Sequence, residues 1–200
     1  MRQIFILILC ISIFSCKSDK KRKGAPIIKS TNKVGIKKIQ TTNKDSIVEY
    51  INVNGEEYVN QIWVVNKKND TIGGNYFEAI FKDTTQLGEV TEFRFILEPR
   101  ISYNSDMYIL LPTYDEELKD DFSNLFEIEL DTFYSLKNDK IPHPELTELD
   151  LPLNLIVHFG LIYEESGSKR VRGVIIERNK LNNKNFGRRL FFDKSLYVKE

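Results

Sequence analysis

Cysteine is nearly absent from this chain. Both copies, Cys10 and Cys16, fall within the first sixteen residues. Whatever folds downstream therefore has no disulfide framework, no thiol nucleophile and no cysteine metal site. Histidine is almost as scarce, with His143 and His158 as its two copies. A histidine zinc or iron centre usually takes two or three ring nitrogens with carboxylate support, so neither residue points to a metal. His143 sits in the stiff sequence Pro142-His143-Pro144, and His158 lies opposite the apolar row of its own segment. Glycine-rich phosphate loops are missing, and nothing resembles a nucleophile elbow. Long apolar runs are missing too: residues 4–14 form an eleven-residue run, too short to span about 30 Å of hydrocarbon. No cofactor is expected.

Charge is present in equal amounts of both signs but is unevenly placed. Residues 17–44 hold ten Lys/Arg and one acid, and residues 45–200 hold 18 basic and 28 acidic residues. A basic segment thus leads into an acidic body. Net negative charge would repel a polyanion, which disfavours nucleic acid as a partner. The body is itself polarised, with 8 basic and 23 acidic residues over 45–163 but 10 and 5 over 164–200.

Met1-Arg2-Gln3, the apolar run and then Ile13-Phe14-Ser15-Cys16 have the layout of a signal peptide. The last four residues resemble the lipobox of bacterial lipoproteins, with an aliphatic residue at −3 and a small one at −1 before the lipidated cysteine. The resemblance implies cleavage before Cys16, a diacylglycerol on its sulfur and insertion into the bilayer, where two or more chains anchor stably. Lys17 at +2, in place of the Asp that marks inner-membrane retention in such proteins, implies the outer membrane. Three segments are therefore expected: a signal peptide over 1–15, a lipidated basic tether over 16–44 that reads as flexible, and a folded domain over 45–200.

Thirteen Phe and nine Tyr against one Trp favour strands. From residue 45 onward the apolar residues recur with period two. Asn54-Gly55 reads as a tight hairpin turn, 66–70 as a second turn and Gly73-Gly74 as a bulge or bend. Strands are expected at 58–65, 77–81, 90–97, 107–111, 153–163 and 171–177, with a last one at 190–192 or 196–198. Residues 126–131 alternate Phe126, Ile128, Leu130 with Glu127, Glu129, Asp131 and read as a strand with one wet face. Residues 114–125 are the one helix-like stretch. Eight or nine strands at this spacing predict an antiparallel β-sandwich, immunoglobulin-like, with a small β-barrel as the alternative.

Several patterns bear on chemistry. Ser166-Gly167-Ser168-Lys169 matches the S-x-x-K of serine acyl transferases, yet it stands between strands, lacks the companion motifs and reads as a hairpin turn. Asp115 to Asp121 is dense in acids but lacks the alternation and central glycine of an EF-hand. Trp63, Tyr58, Tyr76 and Tyr103 could stack a sugar, although core packing is the favoured reading. Asp45-Ser46-Ile47, Asp70-Thr71-Ile72 and Asp83-Thr84-Thr85 resemble the acceptor motif of bacterial envelope O-glycosylation, which makes Ser46, Thr71 and Thr84 candidate acceptors. No catalytic residue is singled out. Glu127, Glu129 and Asp131 form the candidate interaction face. The expected function is a membrane-anchored, non-enzymatic binding or adaptor module that meets a basic protein or a glycan. The alternatives are an envelope hydrolase built from scattered carboxylates and an immunity-type inhibitor of a basic toxin.

Overall fold

Side chains alternate inward and outward along most of the chain, and that alternation is what two facing sheets require. In the computed structural model, which describes residues 33–102, 104–147, 151–179 and 186–200, eleven strands form. They are β1 (Lys33–Gln40), β2 (Asp45–Val53), β3 (Glu56–Val65), β4 (Thr71–Phe81), β5 (Thr84–Gln86) and β6 (Val90–Glu98). Then come β7 (Ser105–Pro112), β8 (Leu130–Tyr134), β9 (Ile156–Ile162), β10 (Gly167–Asn179) and β11 (Phe186–Lys199). Two short helical turns, α1 (Pro144–Thr147) and a 3-10 turn at Leu153–Leu155, precede β9. One sheet has the order β1-β2-β3-β4-β6-β9 and the other β5-β11-β10-β7-β8. The two pack face to face without closing into a barrel, as expected of a β-sandwich.

The main core lies between β4, β6 and β9 on one side and β7, β10 and β11 on the other. Phe93, Phe95 and Leu97 alternate with Glu92, Arg94 and Ile96, so the first set is buried. They meet Met107, Ile109, Ile175, Leu190 and Phe192 of the opposite sheet. Ring contacts knit the layers: Phe95 to Phe192 at 4.7 Å between centroids, Phe133 to Phe159 at 4.3 Å. Each such side chain contributes roughly 1.5–3 kcal/mol through burial.

Local chemistry sets the turns. Asn54 and Gly55 both adopt positive φ, 54° and 81°, which matches the twist of a two-residue hairpin between β2 and β3. In the next turn, Asn66 Oδ1 accepts hydrogen bonds from the backbone N–H of Lys68 and Asp70. Gly74 has φ 135° and its absent Cβ would lie 2.0 Å from the carbonyl oxygen of Ile62. Only glycine permits that approach at the β3–β4 irregularity.

Two buried polar nodes join the sheets. At the first, β3 bulges at Asn60, since Glu49 pairs with Gln61 and Tyr50 with Val59. The Asn60 amide copies a peptide edge: its Oδ1 accepts from Phe191 N at 2.7 Å, and its Nδ2 donates to Phe191 O at 2.9 Å. The same Nδ2 donates to Glu49 Oε2 at 2.6 Å, and Gln61 Nε2 donates to that oxygen at 2.8 Å. At the second node, the fully buried Glu177 carboxylate meets Arg188 Nε at 2.6 Å and accepts from Ser105 Oγ and Ile101 N. Arg188 also donates to Asn75 Oδ1 of β4 and to Pro99 O. Burial pulls the Arg188 guanidinium below its ordinary pKa, while Glu177 pushes the other way.

Three expectations need correction. Residues 33–40 are not part of a flexible tether: they form β1, paired along β2 from Lys33↔Ile51 to Gln40↔Asp45. Lys38 and Lys67 flank the buried Asp45 at 3.1 and 2.9 Å, and their hydrogen bonds hold its carboxyl below the usual range. Residues 164–169, with Ser166-Gly167-Ser168, do not turn a hairpin, because β9 and β10 belong to different sheets and β10 already begins at Gly167; the chain crosses between layers over 163–166. The strand count also exceeds eight or nine, since β1 and the three-residue β5 carry little period-two signal.

Asn60→Ala strips Phe191 and Glu49 of partners in a dry site and is expected to cost about 2–5 kcal/mol, read by urea denaturation. A cost below 1 kcal/mol would show that the amide is not a structural tie. A chain beginning at residue 45 lacks β1 and is expected to melt several degrees lower than one beginning at residue 33, at roughly 2–4 °C per kcal/mol. Equal melting temperatures would mean β1 adds nothing to the domain.

Candidate functional site

The outer face of β10 and β11 is apolar. Val174, Ile176 and Phe191 all point there, so β10 is buried on both sides from Val171 to Glu177. Such a face must be covered. The cover is the 17-residue connection between β7 and β8, residues 113–129, closed at its base by Thr113 N donating to Glu129 O at 3.1 Å. Leu118, Phe122 and Leu125 of this loop are buried against the sheet, with Ile128 and Leu130 packed beside them. Ile51 and Tyr58 close the cluster from β2 and β3. The loop is thus a packed Ω-type element.

No helix forms over 114–125, and the reason is competition for the backbone. Arg172 donates to the carbonyls of Leu118, Lys119 and Asp120 at 2.7, 3.2 and 2.9 Å. Asn124 accepts from Lys119 N and donates to Glu117 O. Those are the groups that a helix would pair internally. Phe122 has φ 58°, a left-handed residue that interrupts any helical run. Its ring lies 4.8 Å from the Arg172 guanidinium. Burial lowers the Arg172 pKa, opposed chiefly by Asp193, whose carboxylate lies 3.4 Å from Arg172 and 2.6 Å from Arg170.

The strand expected at 126–131 is also absent over most of its length. Glu127 N donates to Asn124 O in a turn, and β8 begins only at Leu130. A ladder needs a partner strand, and β7 ends at Pro112, which pairs with Leu130. Phe126 is consequently 58% exposed, with Arg189 5.0 Å above its ring. The acids nonetheless face water: Glu127, Glu129 and Asp131 are all exposed. They form no single stripe, because two stand on the loop and one on β8.

They belong to a larger acidic surface. Residues 113–131 contain eight acids and one base, Lys119. Beside them runs an open groove of about 610 Å³, with Leu118, Phe133 and Tyr163 among its lining residues. Glu116, Glu117 and Asp131 border it on one side and Glu164 and Glu165 on another. Its cations are already engaged: Lys169 with Glu165 at 3.2 Å, Arg170 with Asp120 at 3.2 Å and with Asp193. Burial pushes the Tyr163 phenol up to about 12, so it stays protonated here. The groove therefore offers carboxylates above a partly apolar floor, which is chemistry for holding a cationic, amphipathic group.

Among the described residues, no group of three His, Cys, Asp or Glu could hold a metal ion. The histidines lie apart: His143 meets Asp139 at 2.7 Å, while His158 is 3.8 Å from Glu92 on the outer sheet face. Trp63 and Tyr76 are 3% and 4% exposed, in ring contact with each other at 6.1 Å; they are core, and Tyr58 packs edge-on to Phe191. Tyr103 and Cys16 fall outside the described residues. Ser46 sits within β2, between β1 and β3, and pairs with Ile39 and Val64. Thr71 opens β4, and Thr84 opens β5 with its hydroxyl 3.3 Å from Asp83. The sequence reading missed the Arg170–Arg172–Asp193 anchor. Its only trace was basic residues in a segment of opposite charge balance to the acidic one they bind.

Arg172→Met should release the loop. The expected cost is about 3 kcal/mol or more, since it orphans buried carbonyls and takes one of two guanidinium groups away from Asp193, with faster proteolysis inside 113–129. Glu129→Gln, at an exposed position, should cost roughly 0–1 kcal/mol. If both variants behave alike, apolar contacts alone hold the loop.

Comparison with family models, with curated proteins and with solved structures returned no match to this chain, so its function is argued from its own chemistry.

Proposed function

We propose that this chain is a lipid-anchored protein of the bacterial envelope whose β-sandwich is a non-enzymatic binding module for a basic protein. The supporting observation is the 113–131 surface. It places Asp115, Glu116, Glu117, Asp120, Glu127 and Glu129 in solvent on a loop that is internally hydrogen-bonded and pinned to the sheet, with Asp131 beside them on β8. A pre-ordered acidic surface binds without first losing loop entropy. Its field also speeds encounter with a cationic partner. The lipobox-like Ile13-Phe14-Ser15-Cys16 and the basic residues after it support the anchor, with the outer membrane as its destination. An immunity-type inhibitor would use the same surface, its basic toxin being one such partner. A hydrolase fits less well, because the carboxylates are spread along an open groove rather than converging on one point.

Two measurements test this. Cys16→Ala is expected to abolish incorporation of labelled palmitate and to leave the chain unprocessed or released from membranes; continued labelling would refute the anchor. Affinity capture from solubilised envelope should retain a basic protein whose binding falls at least tenfold in Glu116→Lys/Glu117→Lys/Asp131→Lys and also falls in high salt. Undiminished capture by a folded triple variant would remove this surface as the interface.

A further inference from the structure

The acidic groove beside residues 113–131 is bordered by a sheet edge that has no neighbour. β8 ends the strand order of the second sheet, and its bonding to β7 fixes which of its backbone groups are free. Thr113 N donates to Glu129 O at 3.1 Å, and Ser135 N to Met107 O at 3.2 Å. Bonded and non-bonded pairs alternate along an antiparallel ladder. Asp131 and Phe133, opposite Leu111 and Ile109, therefore turn their N–H and C=O groups toward β7. Leu130, Thr132 and Tyr134 turn theirs outward. Among the described residues no backbone group meets them there.

Across the groove stands β9, the edge strand of the first sheet. The two edges are latched at one end, where Leu136 N donates to Ile156 O at 2.8 Å and the Phe133 ring stacks on Phe159 at 4.3 Å. Toward Asp131 and Ile162 the groove lies between them. Side chains alternate along a strand, so a segment laid against β8 sends one set over Phe133, Leu161 and Tyr163. That set passes between Asp131 and the adjacent Glu164 and Glu165. Lysine or arginine suits it, because the methylene stem covers the apolar floor while the head reaches the carboxylates. The same charge disfavours a second copy of this chain, whose own β8 edge would set acid against acid. The other free edges lack this chemistry: β1 carries Lys37 and Lys38, and β5 is three residues long.

We propose that the basic partner is held as an added β-strand: an extended segment with Lys or Arg at alternate positions pairs with the outward edge of β8 and continues the second sheet. The outward N–H and C=O groups of Leu130, Thr132 and Tyr134 supply the main-chain bonds, and the groove carboxylates select the alternate basic side chains. This rests on the reading of the 113–131 surface as the interface and adds its mode of recognition.

The test is calorimetric titration of the full chain with the acetylated, amidated peptide Lys-Val-Lys-Val-Lys-Val-Lys. Two further forms carry a methyl group on the backbone nitrogen of every valine or of every lysine. The parent peptide is expected to bind saturably. A strand turns alternate N–H groups to opposite sides, so one methylated form should bind at least tenfold more weakly and the other within threefold of the parent. Loss on valine reports antiparallel addition with lysine in the groove, and loss on lysine reports parallel addition. Thr132→Pro removes the middle outward N–H and spares the β7–β8 bonds at Asp131 and Phe133. It should weaken the parent peptide tenfold or more while circular dichroism stays unchanged; should it misfold, the methylated pair decides alone. The Glu116→Lys/Glu117→Lys/Asp131→Lys variant separates the two claims. Undiminished binding of the parent there would overturn the acidic interface and the strand mode with it. Binding that falls there, yet is equal for the two methylated forms or unmoved by a folded Thr132→Pro, would overturn strand addition alone. Absence of saturable binding by the parent would overturn it too.

Discussion

The amide of Asn60 does the work of a missing strand. Along one edge of β11, β5 pairs only with residues 197–199, and farther along that edge the backbone of Phe191 would be left without partners. Asn60 supplies both a donor and an acceptor there, and Tyr58 adds its hydroxyl to Arg189 O at 3.0 Å. Leaving such groups dry and unpaired would cost about 1–3 kcal/mol each. The bulge in β3 exists to aim that side chain, and the Glu49 carboxylate orients the amide. Because β3 is thereby tied to β11, Ile51 and Tyr58 reach the outer face of the second sheet. The acidic loop packs against them, and Asn54 N donates to Asp121 O at 2.8 Å. The position of the candidate interface thus traces back to one side chain.

How much of this was legible depended on whether the determining contacts were local. The β6 alternation was readable because that strand has one dry and one wet face. The 54–55 turn was readable because its φ angles select Asn-Gly. Residues 114–131 were not, and for a definite reason. Their apolar spacing fits a helix and then a strand, but their backbone is claimed by Arg172 and Asn124, and by the end of β7 at Pro112. Arg172 lies 54 residues from the carbonyl of Leu118 that it binds, a distance no local pattern reports. The same holds for β1, whose Lys-rich sequence reads as linker until β2 offers it an edge.

For the candidate sites, the sequence supplied the inventory and the fold supplied the grouping. Glu127, Glu129 and Asp131 were correctly read as wet, for a wrong structural reason. The partners that define the acidic groove, Glu164 and Glu165, come from a crossover between sheets.

The placement of β11 bears on how the molecule folds in time. Asn60 and Phe191 are 131 residues apart, and β11 stands between β5 and β10 although it follows both in sequence. Early strands can form a meander from β1 to β4, but neither β5 nor the bulge at Asn60 acquires its partner until β11 arrives. Closing so long a loop is entropically expensive and slow. Until then the apolar inner faces of two incomplete sheets stand open to any neighbouring chain. A domain of this topology therefore completes its second sheet, and seals its core, only when the last strand of the chain docks.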